Sequence, residues 1–177
     1  MGRPAPVVLE FDEPSEGSSR SPESGRRRLV PVGDTPEGRW EHRTISVVVV
    51  EDDPAMRLLV QFNLEADDFR VTLAETGTAG LEAIAAEEPD LVLLDVMLPD
   101  MGGFDVARQV GDVPIVFMSA RAAAADFARG RDVGAIDYVS KPFDPVTLPT
   151  RLREDLIELD RGGSAAHVWT LRFGRTP

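Results

Sequence analysis

The chain has 177 residues and a mass of 19.3 kDa, room for one domain of about 100–150 residues with appendages, so a two-domain enzyme is excluded. Apolar residues make up 42% and charged residues 28%, no apolar run approaches the roughly 20 residues of a bilayer span, and there is no cysteine; membrane insertion, disulfides, thiol catalysis and cysteine-held metal centres are excluded. The net charge of −12 is concentrated in residues 45–160, where 9 basic face 23 acidic side chains, a surface that repels a phosphate backbone and suits a cation.

Residues 1–43 hold six Pro, five Gly and five Ser, with Val7-Val8-Leu9 and Trp40 as the apolar marks. This composition predicts a disordered leader that cannot bury enough surface to offset its ordering entropy, and it makes the Arg26-Arg27-Arg28 run a solvated feature. The opening residues lack the apolar core of a signal peptide, so a cytoplasmic location is expected.

From Ile45 the texture becomes an alternation of short apolar runs and helical periods, the mark of stacked βα units. Ile45 to Val50 is a β-branched run suited to a parallel sheet buried on both faces. Asp53 as N-cap and Pro54 at the first helical position then open a helix with Leu59, Phe62 and Ala66 at i, i+3 and i+7. A second strand is expected near Phe69–Leu73, followed by a helix from about Thr78 with Leu81, Ile84 and Ala85 on one face. Leu91–Leu94 is a third strand ending at Asp95, and a short helix begins near Phe104. Ile115–Met118 is a fourth strand ending at Ser119, followed by a helix over about Ala123–Val133. The fifth strand lies near Ile136–Ser140, closed by Lys141-Pro142. A last helix carries Leu148, Leu152, Leu156 and Leu159 on one stripe.

Parallel strands joined by right-handed crossovers end along one edge, where open α/β sheets bind ligands. That edge collects Glu51 and Asp52 from the first strand, Asp95 from the third, Ser119 from the fourth and Lys141 from the fifth. Each alone has an ordinary reading as a cap or a solvated side chain. Five such coincidences on one edge are less economical than one site. Three carboxylates held together repel, and a hard divalent cation such as Mg²⁺ is the natural way to keep them ionised. A phosphoryl group approaching Asp95 would meet that cation, the Lys141 ammonium and the Ser119 hydroxyl, the inventory for in-line transfer onto a carboxylate. Lys141 is also the single lysine among 19 basic residues, kept where a compact ammonium on a flexible stem reaches what a planar guanidinium does not.

The runs Val50-Glu51-Asp52-Asp53-Pro54, Leu94-Asp95 through Gly102-Gly103, Ser119-Ala120 and Tyr138 through Phe143 together resemble the receiver domain of bacterial two-component response regulators over about residues 45–160. The resemblance, rather than the residue pattern, implies a flavodoxin-like, doubly wound five-stranded parallel sheet of order 2-1-3-4-5 with helices on both faces. It implies Asp95 as phosphoacceptor, a Mg²⁺ site from Glu51, Asp52, Asp95 and the Met97 carbonyl, Ser119 and Lys141 as catalytic groups, and Ser119 with Tyr138 as the switch. It also implies a cis Lys141–Pro142 bond, and a sensor histidine kinase or phosphotransfer protein as phosphodonor. Asp53 keeps its capping role.

The stretch from Gly103 to Ser119 is short, which cuts the third helix to about two turns, and Pro149 moves the start of the fifth helix to Leu148 or Pro149. In residues 161–177, His167, Trp169, Leu171 and Phe173 alternate like a strand, and Leu171 to Gly174 resembles the opening of a winged-helix output domain; a frayed tail is the plainer expectation. The chain then reads as a receiver acting through an unidentified downstream protein, without binding nucleic acid itself, or as a truncated transcription factor. A phosphorylation-independent binding module is a further reading, disfavoured by the intact acidic set and lysine. A haloacid-dehalogenase type phosphatase wants an acid two residues after its Asp, where Met97 stands. Of the charges that pair receivers through the fourth helix, fifth strand and fifth helix, Asp137 and Arg151 are present but Phe127 and Thr147 replace two others, so a monomer or weak dimer is expected.

Overall fold

A computed structural model describes residues 7–10, 28–31, 40, 43–121 and 123–174. Five strands, β3 (Ile45–Val50), β4 (Phe69–Ala74), β5 (Leu91–Asp95), β6 (Ile115–Ser119) and β7 (Asp137–Ser140), form a parallel sheet of order β4-β3-β5-β6-β7. Counted within that sheet this is the order 2-1-3-4-5. Both faces are dry, and alternate residues of one strand serve different layers. Val47 and Val49 pack with Val60, Leu64, Leu152 and Leu156, while Val48 and Val50 pack with Ile84, Phe104 and Val106.

The first layer is closed by α1 (Pro54–Glu65) and α5 (Leu148–Asp160), and the second by α2 (Gly77–Glu87), α3 (Gly103–Ala107) and α4 (Ala124–Asp132). Asp53 caps α1 by accepting from the Met56 amide at 2.8 Å. The buried stripe of α1 is Val60 and Leu64, whereas Leu59 and Phe62 lie on its solvent side. α3 has five residues, about one and a half turns, because Gly111 and Pro114 return the chain to β6 at once. α5 starts at Leu148 with Pro149 in its first turn, where a proline costs no hydrogen bond. The Lys141–Pro142 bond is cis. No described helix is long and apolar enough to cross a membrane.

The leader and the tail depart from the sequence reading. Most of residues 1–43, including Arg26 and Arg27, lies outside the described residues. Within them, β1 (Val7–Glu10) pairs antiparallel with β2 (Arg28–Pro31). Trp40 is buried against the first layer, its Nε1 donating to Asp160 at 2.7 Å, and Arg153 donates to the Trp40 carbonyl. A large aromatic surface thereby offsets the entropy of ordering this point of the leader.

The tail is not a strand. Ser164 caps α6 (Ala165–Phe173), its Oγ accepting from the His167 amide at 3.2 Å. His167, Leu171 and Phe173 are exposed, while the adjacent Val168 and Trp169 are buried, one in each layer, because the helix is wedged along the β7 edge of the sheet.

Beneath α6, Asp155 and Asp137 are both inaccessible. Arg151 binds both oxygens of Asp137, at 2.5 and 2.8 Å, and Arg172 donates to Asp155 Oδ1 at 2.8 Å and to Glu154 at 3.1 Å. Asp155 Oδ2 has no hydrogen-bond partner; burial, with Asp137 beside it, pushes this carboxyl up to about 8 against the pull of Arg172. A folded state that keeps a proton the unfolded chain releases loses stability as pH rises, so Asp155 is expected to make the fold progressively less stable from about pH 4 to about pH 8. Urea unfolding across that range should show the decline, and Asp155→Asn should flatten it; an equal slope in both proteins would assign the dependence elsewhere.

Candidate functional site

The carboxyl edge of the sheet carries every residue that the sequence nominated there, and Glu51, Asp52, Asp95 and Lys141 meet in one cluster. Register explains it: Val50 pairs with Leu94, Asp95 with Met118 and Ser119 with Ser140, so the strands end in step and their next residues face one opening. Glu51, Asp52 and Asp95 each place a carboxylate oxygen within 4.8 Å of the others. Glu51 is 1% and Asp95 5% exposed, while Asp52 faces solvent.

Lys141 closes the cluster from the β7 end. Its Nζ donates to Asp95 Oδ2 at 2.5 Å and to Glu51 Oε2 at 2.6 Å. Burial alone would lower the Lys141 ammonium, but the two carboxylates outweigh it and hold the group above its ordinary value. Burial pushes Glu51 above the ordinary carboxylate range, with Lys141 only partly offsetting it. The site thus holds one ammonium, paired with two of three carboxylates, and the negative excess is the electrostatic reason a divalent cation fits. The donor set is all oxygen, one member is open to water, and such a set suits Mg²⁺ with retained waters.

Asp95 is aimed by its own strand end: Met97 N donates to Asp95 Oδ1 at 2.8 Å, and Met97 pairs in an isolated bridge with Gly102. Ser119 is fully buried; its Oγ accepts from the Arg121 amide at 3.2 Å, and its hydroxyl also hydrogen-bonds with the Tyr138 hydroxyl. Tyr138, 1% exposed, donates its hydroxyl to the Arg121 carbonyl.

Four residues around the site, two of them inside the run from Leu94 to Gly103, had no role assigned from the sequence. Arg57, one turn into α1, donates to the Glu51 carbonyl at 2.6 Å and the Asp52 carbonyl at 3.1 Å, fixing the backbone of the acidic pair. Asp100 accepts from the Gly77 amide at 2.8 Å and from the Thr78 amide and hydroxyl at 2.9 and 2.7 Å, tying the loop after β5 to the start of α2. Those Thr78 donors hold the Asp100 carboxyl far below its ordinary range. Arg121 links Ser119 to Tyr138 through its main chain. Gly103 lies so close to β5 that a Cβ there would stand 2.1 Å from the Asp95 carbonyl oxygen. The Gly-Gly pair was the available signal for that approach; main-chain acceptors such as Arg121 leave none.

The family model of the response regulator receiver domain matches residues 47–153. The chain is 43% identical over 120 residues to the transcriptional regulatory protein CseB of Streptomyces coelicolor, covering 66% of this chain and 51% of that protein. It is 35% identical over 134 residues to the response regulator MprA of Mycobacterium tuberculosis, covering 73% and 58%. The chain thus spans about half the length of the curated relatives it matches. Among solved structures, the CheY-like receiver domain protein from Methanospirillum hungatei superposes with a TM-score of 0.64 at 27% identity, covering 68% of this chain and 99% of that one. The BeF3-activated N-terminal receiver domain of Klebsiella pneumoniae RstA gives 0.59 at 37% identity, covering 63% and 97%. With the sheet order, the acidic cluster and more than half of the chain matched, this protein belongs to the response regulator receiver domain family.

Proposed function

We propose that Asp95 is the phosphoacceptor, taking a phosphoryl group from a phosphohistidine of a sensor histidine kinase or phosphotransfer protein. One observation carries this reading: a nearly buried carboxylate held between the Met97 amide and the Lys141 ammonium, with two further acids within 4.8 Å. In the reaction a carboxylate oxygen of Asp95 forms a bond to phosphorus while the bond from phosphorus to the donor imidazole nitrogen breaks, and the imidazole leaves with that electron pair and takes up a proton. Lys141 transfers its hydrogen bond from Asp95 to an oxygen of the incoming phosphoryl group, and the Ser119 hydroxyl donates to another. Glu51, Asp52 and Asp95, with the Met97 carbonyl, are the residues that would hold Mg²⁺. When bound, that ion supplies neutralisation of the phosphoryl oxygens. Ser119 and Tyr138 report the modified state to the rest of the domain.

The chain catalyses only its own phosphorylation and dephosphorylation. Leu58, Leu59 and Phe62, 62%, 43% and 74% exposed on α1, give the donor an apolar surface beside the acidic pair. The acidic surface of residues 45–160 supports signalling by this domain through protein contacts and not through direct nucleic-acid binding.

Treatment with acetyl phosphate and Mg²⁺ should add one phosphoryl group by intact-mass measurement, with none added in Asp95→Asn or in EDTA. Equal labelling of the Asn variant would remove Asp95 from the role.

A further inference from the structure

The phosphoacceptor chemistry has no use for α6, yet the helix is built into the domain. It lies over α4, β7 and α5 and contributes Val168 and Trp169, 1% and 4% exposed, to the two core layers. The face beneath is shaped for it. Gly130 is buried inside α4, where glycine is unfavourable. A Cβ at this position would stand 3.1 Å from Trp169 Cη2 and 3.3 Å from Tyr138 Cδ2, so the missing side chain is what seats the indole. Arg172 supplies a second anchor through Asp155 and Glu154. Of the Asp137–Arg151 pair, expected from the sequence on an open pairing face, Asp137 is covered, at 0% exposure, while Arg151 stays partly open.

The covered face also connects to the site. Ser119 Oγ accepts from the Arg121 amide, and Tyr138 donates to the carbonyl of the same residue. The Tyr138 ring lies 4.5 Å from Phe127, Phe127 lies 5.2 Å from Phe173, and Phe173 lies 4.8 Å from Trp169. A phosphoryl oxygen that draws the Ser119 hydroxyl away takes the acceptor from the Arg121 amide, moves the carbonyl that holds Tyr138, and disturbs the aromatic row on which α6 rests.

We propose that α6 is a releasable cover over the face formed by α4, β7 and α5, and that phosphorylation of Asp95 weakens its hold. The proposal rests on the phosphoacceptor reading above. Coupling between two sites is reciprocal: if activation loosens α6 by some factor, loosening α6 must tighten the activated state by the same factor.

Hydrogen exchange of the full chain with and without beryllofluoride and Mg²⁺ tests the first half. Amides of residues 165–173 should exchange about 5-fold faster or more in the activated protein, while residues 95–103 become protected. Trp169→Ala and Arg172→Ala test the second half, and both should lower the beryllofluoride concentration for half-saturation. Arg172→Ala leaves the aromatic packing intact and keeps the test decisive if Trp169→Ala does not fold. Protection at 95–103 with unchanged exchange in α6 and unchanged half-saturation would overturn the cover and leave the phosphoacceptor standing. Absence of protection at 95–103 in every protein would overturn the phosphoacceptor reading, and the coupling with it.

Discussion

Lys141→Met is expected to destabilise the fold by about 3–5 kcal/mol at neutral pH and to abolish labelling by acetyl phosphate. The stability loss follows from burial: the lysine side chain is 15% exposed, and the side chains of its two partners, Glu51 and Asp95, are almost wholly buried. Removing one member of such a group leaves the others desolvated and uncompensated. Glu51, already above its ordinary value through burial, loses the cation that offsets it and rises further. A carboxyl raised in the folded state costs stability as pH climbs from its unfolded value through its folded value. The gap to wild type is therefore full at neutral pH and narrows towards about pH 4. Millimolar Mg²⁺ should raise the melting temperature of the variant more than that of wild type, since it replaces the missing positive charge. Melting curves at both pH values, with and without Mg²⁺, check each part. A variant that melts like wild type at neutral pH would show that Lys141 does not balance the cluster.

Gly103→Ala should remove about 3 kcal/mol of stability and slow labelling of Asp95 about 100-fold, whereas Gly102→Ala next to it should be close to neutral. At Gly103 the added carbon meets main chain: Asp95 O at 2.1 Å, Asp95 C at 2.9 Å and Val96 Cα at 2.9 Å. No side chain can swing aside, so either α3 lifts from the sheet or the end of β5 moves and carries the phosphoacceptor with it. At Gly102 the nearest atom is the Asp105 carboxylate at 3.3 Å, the far end of an exposed side chain that can shift together with its surface partner Arg108. Urea denaturation and mass-based labelling of both variants separate the cases. Equal behaviour of the two would mean that the close packing of α3 on β5 does not position Asp95.

The legible part of this protein is the part governed by local rules. A fully apolar β-branched run is stable only where both sheet faces are covered, so Ile45–Val50 announced a central parallel strand. Polar residues immediately after such runs sit at the sheet edge, which is why the sequence alone groups Glu51, Asp52, Asp95, Ser119 and Lys141. Capping and proline rules were equally local, and they located the starts of α1 at Pro54 and α5 at Leu148.

Periodicity alone failed on α1 and α6, for related reasons. In α1 both Leu59–Phe62 and Val60–Leu64 satisfy helical spacing, and only contact with the sheet selects the second pair for burial. In α6 the alternation of His167, Trp169, Leu171 and Phe173 is the period of a strand, but the residues that matter are Val168 and Trp169, adjacent in sequence and buried in different layers. No single-face pattern describes a helix wedged at the edge of two layers.

The amino-acid order by itself thus determined the βα alternation, the acidic edge and the lysine opposite it, because each follows from backbone preference and from which residues can leave water. Only the tertiary structure decided that Trp40 and α6 close over the domain, that Asp137 and Asp155 share one buried pocket of charge, and that Gly130 makes room for Trp169. Those features depend on contacts between segments that local sequence does not relate, and their energies exist only once the layers are assembled.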